Sequence, residues 1–342
     1  MLSKEDILKL AKIEKKIKSH DVAAKFGVSR QYASFLIRGL IQENKLSKIG
    51  STNSAYYILP EFYKEADLFP SQIFRRLKNK NLHEHEVYDL ILNQYPPLKQ
   101  LSENVKAVLN FGFSEMLNNA IEHSKSQNIE VEISMQNRKL IFIVNDFGVG
   151  VFRNVMKKRR LKTEIEAMQD LLKGKTTTAS KFHSGEGIFF TSKVCDVFTL
   201  ESFGYLLVVN NKTREIFFQK PPALKRGTRV KFTVDVNSSR HLSSVFKHFT
   251  DADFGFAKTE IKVRLYTSGD GVHVSRSQAR RILSGLEKFS TVVLDFDKVP
   301  SIGQGFSDEI FRVFKNRHPN TKIEPIHMND AVQFMVNRVA KE

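Results

Sequence analysis

The sequence predicts a multidomain α/β protein, and three observations carry that class. Apolar residues first recur at helical spacing among lysines, then give way to two short strand-like runs. Further along, an apolar strand finishes on Asn145-Asp146-Phe147-Gly148-Val149-Gly150, a turn that lets the backbone approach a ligand. The last third alternates strand and helix patterns, which implies a small α/β layer. With 342 residues, 41% hydrophobic and 27% charged, the chain has an ordinary globular composition and length for two or three domains.

Composition narrows the setting. No apolar run reaches the roughly 18 residues that a membrane helix needs, and the charged N-terminus has no signal-peptide core. The single cysteine, Cys195, cannot form an intrachain disulfide, which fits a reducing compartment. It reads as a small buried hydrophobe before Asp196. We therefore expect a cytoplasmic protein with no membrane partner. A formal net charge of +17 and a sequence pI of about 9.7 favour nucleic acid or another acidic partner.

Residues 4–16 place Ile7, Leu8, Leu10, Ala11 and Ile13 on an amphipathic helix. Asp21 is expected to cap a second helix, Val22–Phe26, that Gly27 ends. Ser29 is expected to cap a third, from Arg30 to about Asn44. GSTNS then turns the chain between two strand-like runs. In this order, DVAAKFGVSRQYASFLIRGLIQENKL resembles the winged helix-turn-helix family, and the domain is expected over residues 1–62. The resemblance implies duplex DNA as partner, with Ser29, Arg30, Gln31, Tyr32 and Ser34 near base edges. Arg38, Lys45 and Lys48 would lie near phosphates. A winged helix used only for protein contacts is the alternative.

Residues 63–100 read as a connector, helical in parts and interrupted at Phe69-Pro70 and Tyr95-Pro96-Pro97. His83 and His85 have no companions at metal-ligand spacing and are expected on the surface. From about residue 101 to 124 a long helix carries Phe113, Leu117 and Ile121 on one face. Glu115, Asn119 and His123 share roughly the opposite one. Ile129–Met135 alternates as a half-buried strand, and Leu140–Val144 follows as a second strand that ends at Asp146. A helix or two, with the basic run Lys157-Lys158-Arg159-Arg160, precedes a Gly/Thr/Ser-rich loop and His183-Ser184-Gly185-Glu186-Gly187. Residues 197–235 read as three strands, and Gly227-Thr228 opens the last of them.

These residues suit a Mg-nucleotide. A strand end holds Asp146 where a carboxylate can accept from an adenine amine. Gly148 and Gly150 allow close approach to base and sugar. Gly185 and Gly187 before an apolar helix offer backbone amides to phosphate. Asn119 can coordinate Mg²⁺ through its carbonyl. Glu115, one turn earlier, could position or deprotonate a nucleophile.

The ordered set resembles the GHKL ATPase superfamily of gyrase, the Hsp90 chaperone, MutL and the histidine kinases, over about residues 101–237. It implies an α/β sandwich whose mixed sheet carries helices on one face. SEMLNNAIEHS resembles the family's N box, NDFGVG its adenine box and HSGEGI its lid-end glycine box. By resemblance, Asp146 and Thr228 hold adenine, Asn119 holds Mg²⁺ and Glu115 matches the catalytic base. Asn118 and His123 fill lesser N-box positions, and Ser184 lies near the phosphates. The cofactors so implied are ATP and Mg²⁺. There is no phospho-accepting histidine box and no gyrase-type transducer domain.

Beyond that domain, KTEIKVRLYT, TVVLDF and KIEPIHM read as strands, with helices between and after them. Ser307 and Asn329 are the expected caps of the last two. SRSQARRILSGLEKFSTVVLDFDKVPSIGQGFSDEIFRVF resembles a STAS-like domain, expected over residues 255–342. In that family a phosphorylatable serine follows the buried strand. Here Gln304 stands at that place, and Ser301 and Ser307 are the nearest hydroxyls.

The favoured function is an ATP-responsive, DNA-binding transcriptional regulator, with a protein partner reached through the STAS-like domain. An anti-sigma-type serine/threonine kinase is the first alternative. The second is an ATPase in a defence or repair assembly, which predicts a homodimer through the nucleotide domain.

Overall fold

The computed structural model describes residues 2–43, 45–49, 55–62, 72–175, 186–253, 255–266 and 272–340. The protein is multidomain α/β and divides into two compact units. The first holds residues 1–154 and 191–241, and the second holds 155–190 and 242–342. Residues 155–190, expected within a central domain spanning 101–237, thus belong with the C-terminal residues.

The first unit begins with helices α1 (Lys4–Glu14), α2 (Ser19–Phe26) and α3 (Arg30–Gln42). Ile7, Leu10, Val22, Ala33, Ile37 and Leu40 meet in their core. Ser29 caps α3 by accepting the Tyr32 amide at 3.1 Å. Gly27 ends α2 in the left-handed region, at φ 63°. Asp21 is not the cap of α2. That helix starts two residues earlier, and Asp21 reaches back from its first turn to accept the Lys18 amide. β1 (Ser47–Ile49) and β2 (Tyr56–Ile58) form an antiparallel ribbon, and Ile17 bridges to Tyr57. The turn GSTNS lies outside the described residues.

A seven-stranded sheet follows, built from β3 (Gln72–Lys78), β4 (Asn128–Gln136), β5 (Lys139–Asp146), β6 (Val197–Ser202), β7 (Tyr205–Asn210), β8 (Glu215–Gln219) and β9 (Thr228–Asp235). Its order is β3-β4-β5-β9-β6-β7-β8. Three expectations are corrected here. Every described neighbouring pair is antiparallel, not mixed. The reason is β9, which inserts between β5 and β6 and runs against both. Residues 197–235 give four strands rather than three, because Phe203 and Gly204, both at positive φ, turn the chain between β6 and β7. The segment expected as a connector helical in parts does hold a helix, α4 (Glu84–Gln94), but it also supplies the edge strand β3.

One face of the sheet is the core. Phe142, Phe232 and Phe198 stand in register across β5, β9 and β6, and all three are buried. Against them packs α5 (Glu103–His123), capped by Ser102. Its Phe113 ring meets Phe142 edge-on, and Phe142 stacks on Phe232 with centroids 4.6 Å apart. Gly112 lets the helix come this close: a Cβ there would lie 3.0 Å from the Phe232 ring. The opposite face is half-exposed and carries Glu130, Glu132, Arg229 and Lys231. α6 (Val151–Arg159) leaves the end of β5 and carries the chain out of this unit.

The second unit is built on a three-stranded parallel sheet, β10 (Lys258–Lys262), β11 (Thr291–Asp295) and β12 (Lys322–Ile326). α10 (Arg276–Leu283) links the first two strands. α11 links the next two. It begins at Gln304–Asp308 and continues through a π-helical stretch, Glu309–Phe314, to Lys315–Arg317. α12 (Asp330–Ala340) follows β12, and Asn329 caps it by accepting the Val332 amide at 2.9 Å. Ser307 is not a cap. Gly303 precedes the helix, and Ser307 is buried inside it, its hydroxyl donating to the Met335 carbonyl at 3.0 Å.

α7 (Glu164–Lys173) belongs to this layer and is capped by Thr163. Buried Lys173 donates to the carbonyls of Arg281 and Ser284, at 3.0 and 2.9 Å, closing the C-terminal end of α10. Burial pulls its ammonium down to about 8. Gln169 donates to the Leu265 carbonyl, and the Tyr266 and Thr259 hydroxyls donate to the carbonyls of Gln169 and Lys173. An aromatic cluster of Phe189, Phe190, Phe246, Phe249, Phe256 and Phe289 completes the core with α9 (Leu242–Phe249). The chain returns to the first unit along α8 (Gly187–Val194).

Candidate functional site

The expected ligand-facing residues at the end of β5 are held by a closed set of hydrogen bonds. Asp146 is 4% exposed. Its Oδ1 accepts the Gly148 amide at 2.9 Å and the Thr228 amide at 3.1 Å. The Thr228 hydroxyl accepts the Val151 amide at 3.1 Å and also serves the Asp146 carboxylate. Burial pushes the Asp146 carboxyl above its ordinary range. The Gly148 and Thr228 amides, Lys225 and the Thr228 hydroxyl oppose that shift.

The glycines of this turn have no room for a side chain. A Cβ on Gly148 would fall 1.7 Å from the Ser124 carbonyl oxygen. Gly150 stands at φ 78° against Ser202 and Phe203. Gly227, which the sequence placed only at a strand start, is at φ 74° with Asp146 2.3 Å from a notional Cβ. The turn is also fastened to the end of α5. Val149 donates its amide to the Ser124 carbonyl at 2.8 Å, and Phe147 donates to the Ser126 hydroxyl at 3.0 Å. The Ser124 hydroxyl in turn donates to the Ala120 carbonyl.

His123 directly precedes Ser124, to which the turn is fastened, with Asn119 and Glu115 one and two helical turns further back. All three are half-buried, as is Asn118. The Asn119 amide nitrogen donates to the Glu115 carbonyl at 2.8 Å, which leaves its oxygen as the atom suited to a hard cation. Among the described residues no group of three His, Cys, Asp or Glu side chains could hold a metal. A Mg²⁺ here would need phosphate and water as its other ligands.

Gly187 is the first residue of α8. Ser184, Gly185 and His183 lie outside the described residues. Lys225 was missed by the sequence reading. Its ammonium donates to the Asp146 carbonyl at 2.7 Å and lies 4.8 Å from the centre of the exposed Phe147 ring. Burial pulls its ammonium down. Nothing in its spacing marks it, because it comes from the loop before β9 and meets Asp146 only after that strand has paired.

On α3, Ser29, Arg30 and Gln31 are exposed and Tyr32 and Ser34 half-buried. Arg38 and Lys48 line a cleft of about 280 Å³ with Ile41, Leu46, Ile73 and Phe74. Phe35, 65% exposed on the same helix, was not anticipated. His83 and His85 are exposed, and Cys195 is fully buried with its thiol pushed up by burial, both as expected. Among the described residues no helix is long and apolar enough to cross a membrane.

A family model described as a STAS-like domain of unknown function (DUF4325) matches residues 278–333. The match runs from α10 to the start of α12 and agrees with the expected C-terminal resemblance. No curated protein matches the chain.

Proposed function

We propose that this protein is an ATP-binding regulator in which a GHKL-type site controls a DNA-binding winged helix. The observation that carries the reading is the buried Asp146 carboxylate, tied to Gly148 and Thr228 and fastened to the end of the helix bearing Glu115, Asn119 and His123. A buried carboxylate beside glycines that permit close approach suits a base with an exocyclic amine. Asn119 one turn before the anchor suits Mg²⁺, and Glu115 suits the activation of a nucleophile.

The route of control runs through residues 155–190, which in the GHKL reading are the lid between the adenine glycines and Gly187. Here α7, within that stretch, is bonded into the STAS-like layer through Gln169, Lys173 and Thr259. A nucleotide that engages this stretch then acts on the STAS-like layer through α7. It shifts the equilibrium only as far as it binds one arrangement better than the other.

The experiment is Mg-ATP binding by equilibrium dialysis, followed by duplex selection with and without ATP. The reading requires saturable binding and salt-dependent duplex binding that ATP changes, weakened by Arg30→Ala and with a salt slope reduced by about one in Arg38→Ala. Phosphate release in wild type, Glu115→Gln and Asn119→Asp distinguishes an effector from a hydrolysed substrate. The serine-kinase alternative loses Ser307 as an acceptor, since its hydroxyl is buried and bonded.

A further inference from the structure

The carboxyl ends of the three parallel strands in the second unit bring together Lys262, Asp295 and His327. Lys262 ends β10 and Asp295 ends β11, in register with each other, and His327 follows the last residue of β12. Asp295 is 3% exposed. One of its oxygens receives the Lys262 ammonium at 3.0 Å, and the other receives His327 Nδ1 at 2.9 Å and the Asp297 amide at 3.0 Å. His327 itself is 63% exposed. The carboxylate therefore holds the imidazole with its proton on Nδ1 and the Nε2 lone pair available to solvent. Ligands of parallel α/β sheets meet the protein at this edge.

The same edge carries the loop after β11. Asn329, two residues past His327, donates to the carbonyls of Val299 and Pro300 in that loop, at 3.1 and 3.0 Å. The loop itself offers poor nucleophiles. Gln304 has none, Ser307 is buried and bonded, and Ser301 is half-buried. We propose that His327 is a phosphoryl-accepting residue, with Asp295 as its positioning partner and a nucleoside triphosphate as the donor.

In the step, the Nε2 lone pair forms a bond to the γ-phosphorus while the bond from that phosphorus to the bridging oxygen breaks. The electron pair leaves with the nucleoside diphosphate. The Nδ1 proton stays on the ring, and the Asp295 carboxylate offsets the imidazolium charge that forms. Burial would raise the Asp295 carboxyl, but the Asp297 amide, His327 and Lys262 outweigh it, so the carboxylate stays ionised. The donor rests on the ATP reading above; the acceptor does not.

The test uses the full chain and phosphoramidate, which phosphorylates nucleophilic imidazoles without an enzyme. Acid-labile, alkali-stable phosphate is mapped by mass spectrometry. His327 is expected to label at least about tenfold faster than the exposed His85 of the same molecule, because only its ring is held by a buried carboxylate. His327→Gln removes that label, and Asp295→Asn slows it by a similar factor. Equal labelling of His327 and His85 overturns the proposal whether or not Asp295→Asn folds. Phosphoramidate labelling in a chain that does not bind ATP leaves the acceptor standing and removes the ATP reading. ATP binding with no preference for His327 overturns the acceptor alone.

Discussion

Replacing Asp146 by Asn and by Ala separates its structural task from its proposed recognition of a base. The carboxylate accepts two backbone amides, from Gly148 and Thr228. Asparagine keeps an oxygen for both, and it is neutral, so the cost of burying a charge disappears as the charge-assisted bonds weaken. The net change in stability should stay under about 1 kcal/mol. Alanine leaves two buried donors without an acceptor, at about 1–3 kcal/mol each, a loss of roughly 2–6 kcal/mol. Binding should follow a different order. An exocyclic amine that donated to the carboxylate would face an amide N–H in the Asn variant. Loss of a hydrogen bond to a charged group costs about 1.5–3 kcal/mol, roughly ten- to hundredfold in Kd. Thermal melts and equilibrium dialysis with Mg-ATP read the two effects. Wild-type ATP affinity in Asp146→Asn refutes base recognition, and an unshifted melt in Asp146→Ala refutes the acceptor role.

Gly148→Ala drives a methyl into the Ser124 backbone and should cost about 2–4 kcal/mol through displaced packing and the lost Val149 bond; hydrogen exchange at the Val149 and Thr228 amides detects it, and unchanged protection contradicts the packing argument. Ser307→Glu should destabilise the second unit by several kcal/mol, since it forces a larger, charged side chain into a fully buried place, whereas Ser307→Ala should cost about 1 kcal/mol; melts compare them, and a Glu variant as stable as the Ala variant rules out the buried placement. His273 is fully buried against Phe306, and burial pulls its imidazole down to about 4 from 6.5. The folded state therefore prefers the neutral ring: this contribution is complete above pH 6.5 and is lost as pH falls toward 4. His273→Leu should flatten that acid limb in melts taken from pH 7 to 4, and an identical limb argues against it.

Much of the fold was legible in the chain because its signals are local. Ser29, Gly27 and Asn329 act within three or four residues, and helical spacing reports a face without knowing what covers it. The turn at Asp146 was legible for the same reason: Gly148 and Gly150 mark the conformation wherever the strand goes. The errors also share a cause. Asp21 and Ser307 are good caps in isolation, but the helices begin two and three residues earlier. Residues 72–78 looked like a connector because an edge strand signals itself weakly, and Lys225 became visible only when β9 had paired.

What the sequence by itself determined was the type of most elements and the identity of the residues around Asp146, since spacing, capping and glycine placement are properties of a few neighbouring residues. Tertiary structure alone decided the insertion of β9 between β5 and β6, the packing of α7 into the STAS-like layer and the meeting of Lys262, Asp295 and His327. Those depend on contacts between residues 26 to 111 positions apart, which form only because burying the shared apolar faces outweighs the entropy of closing such long loops.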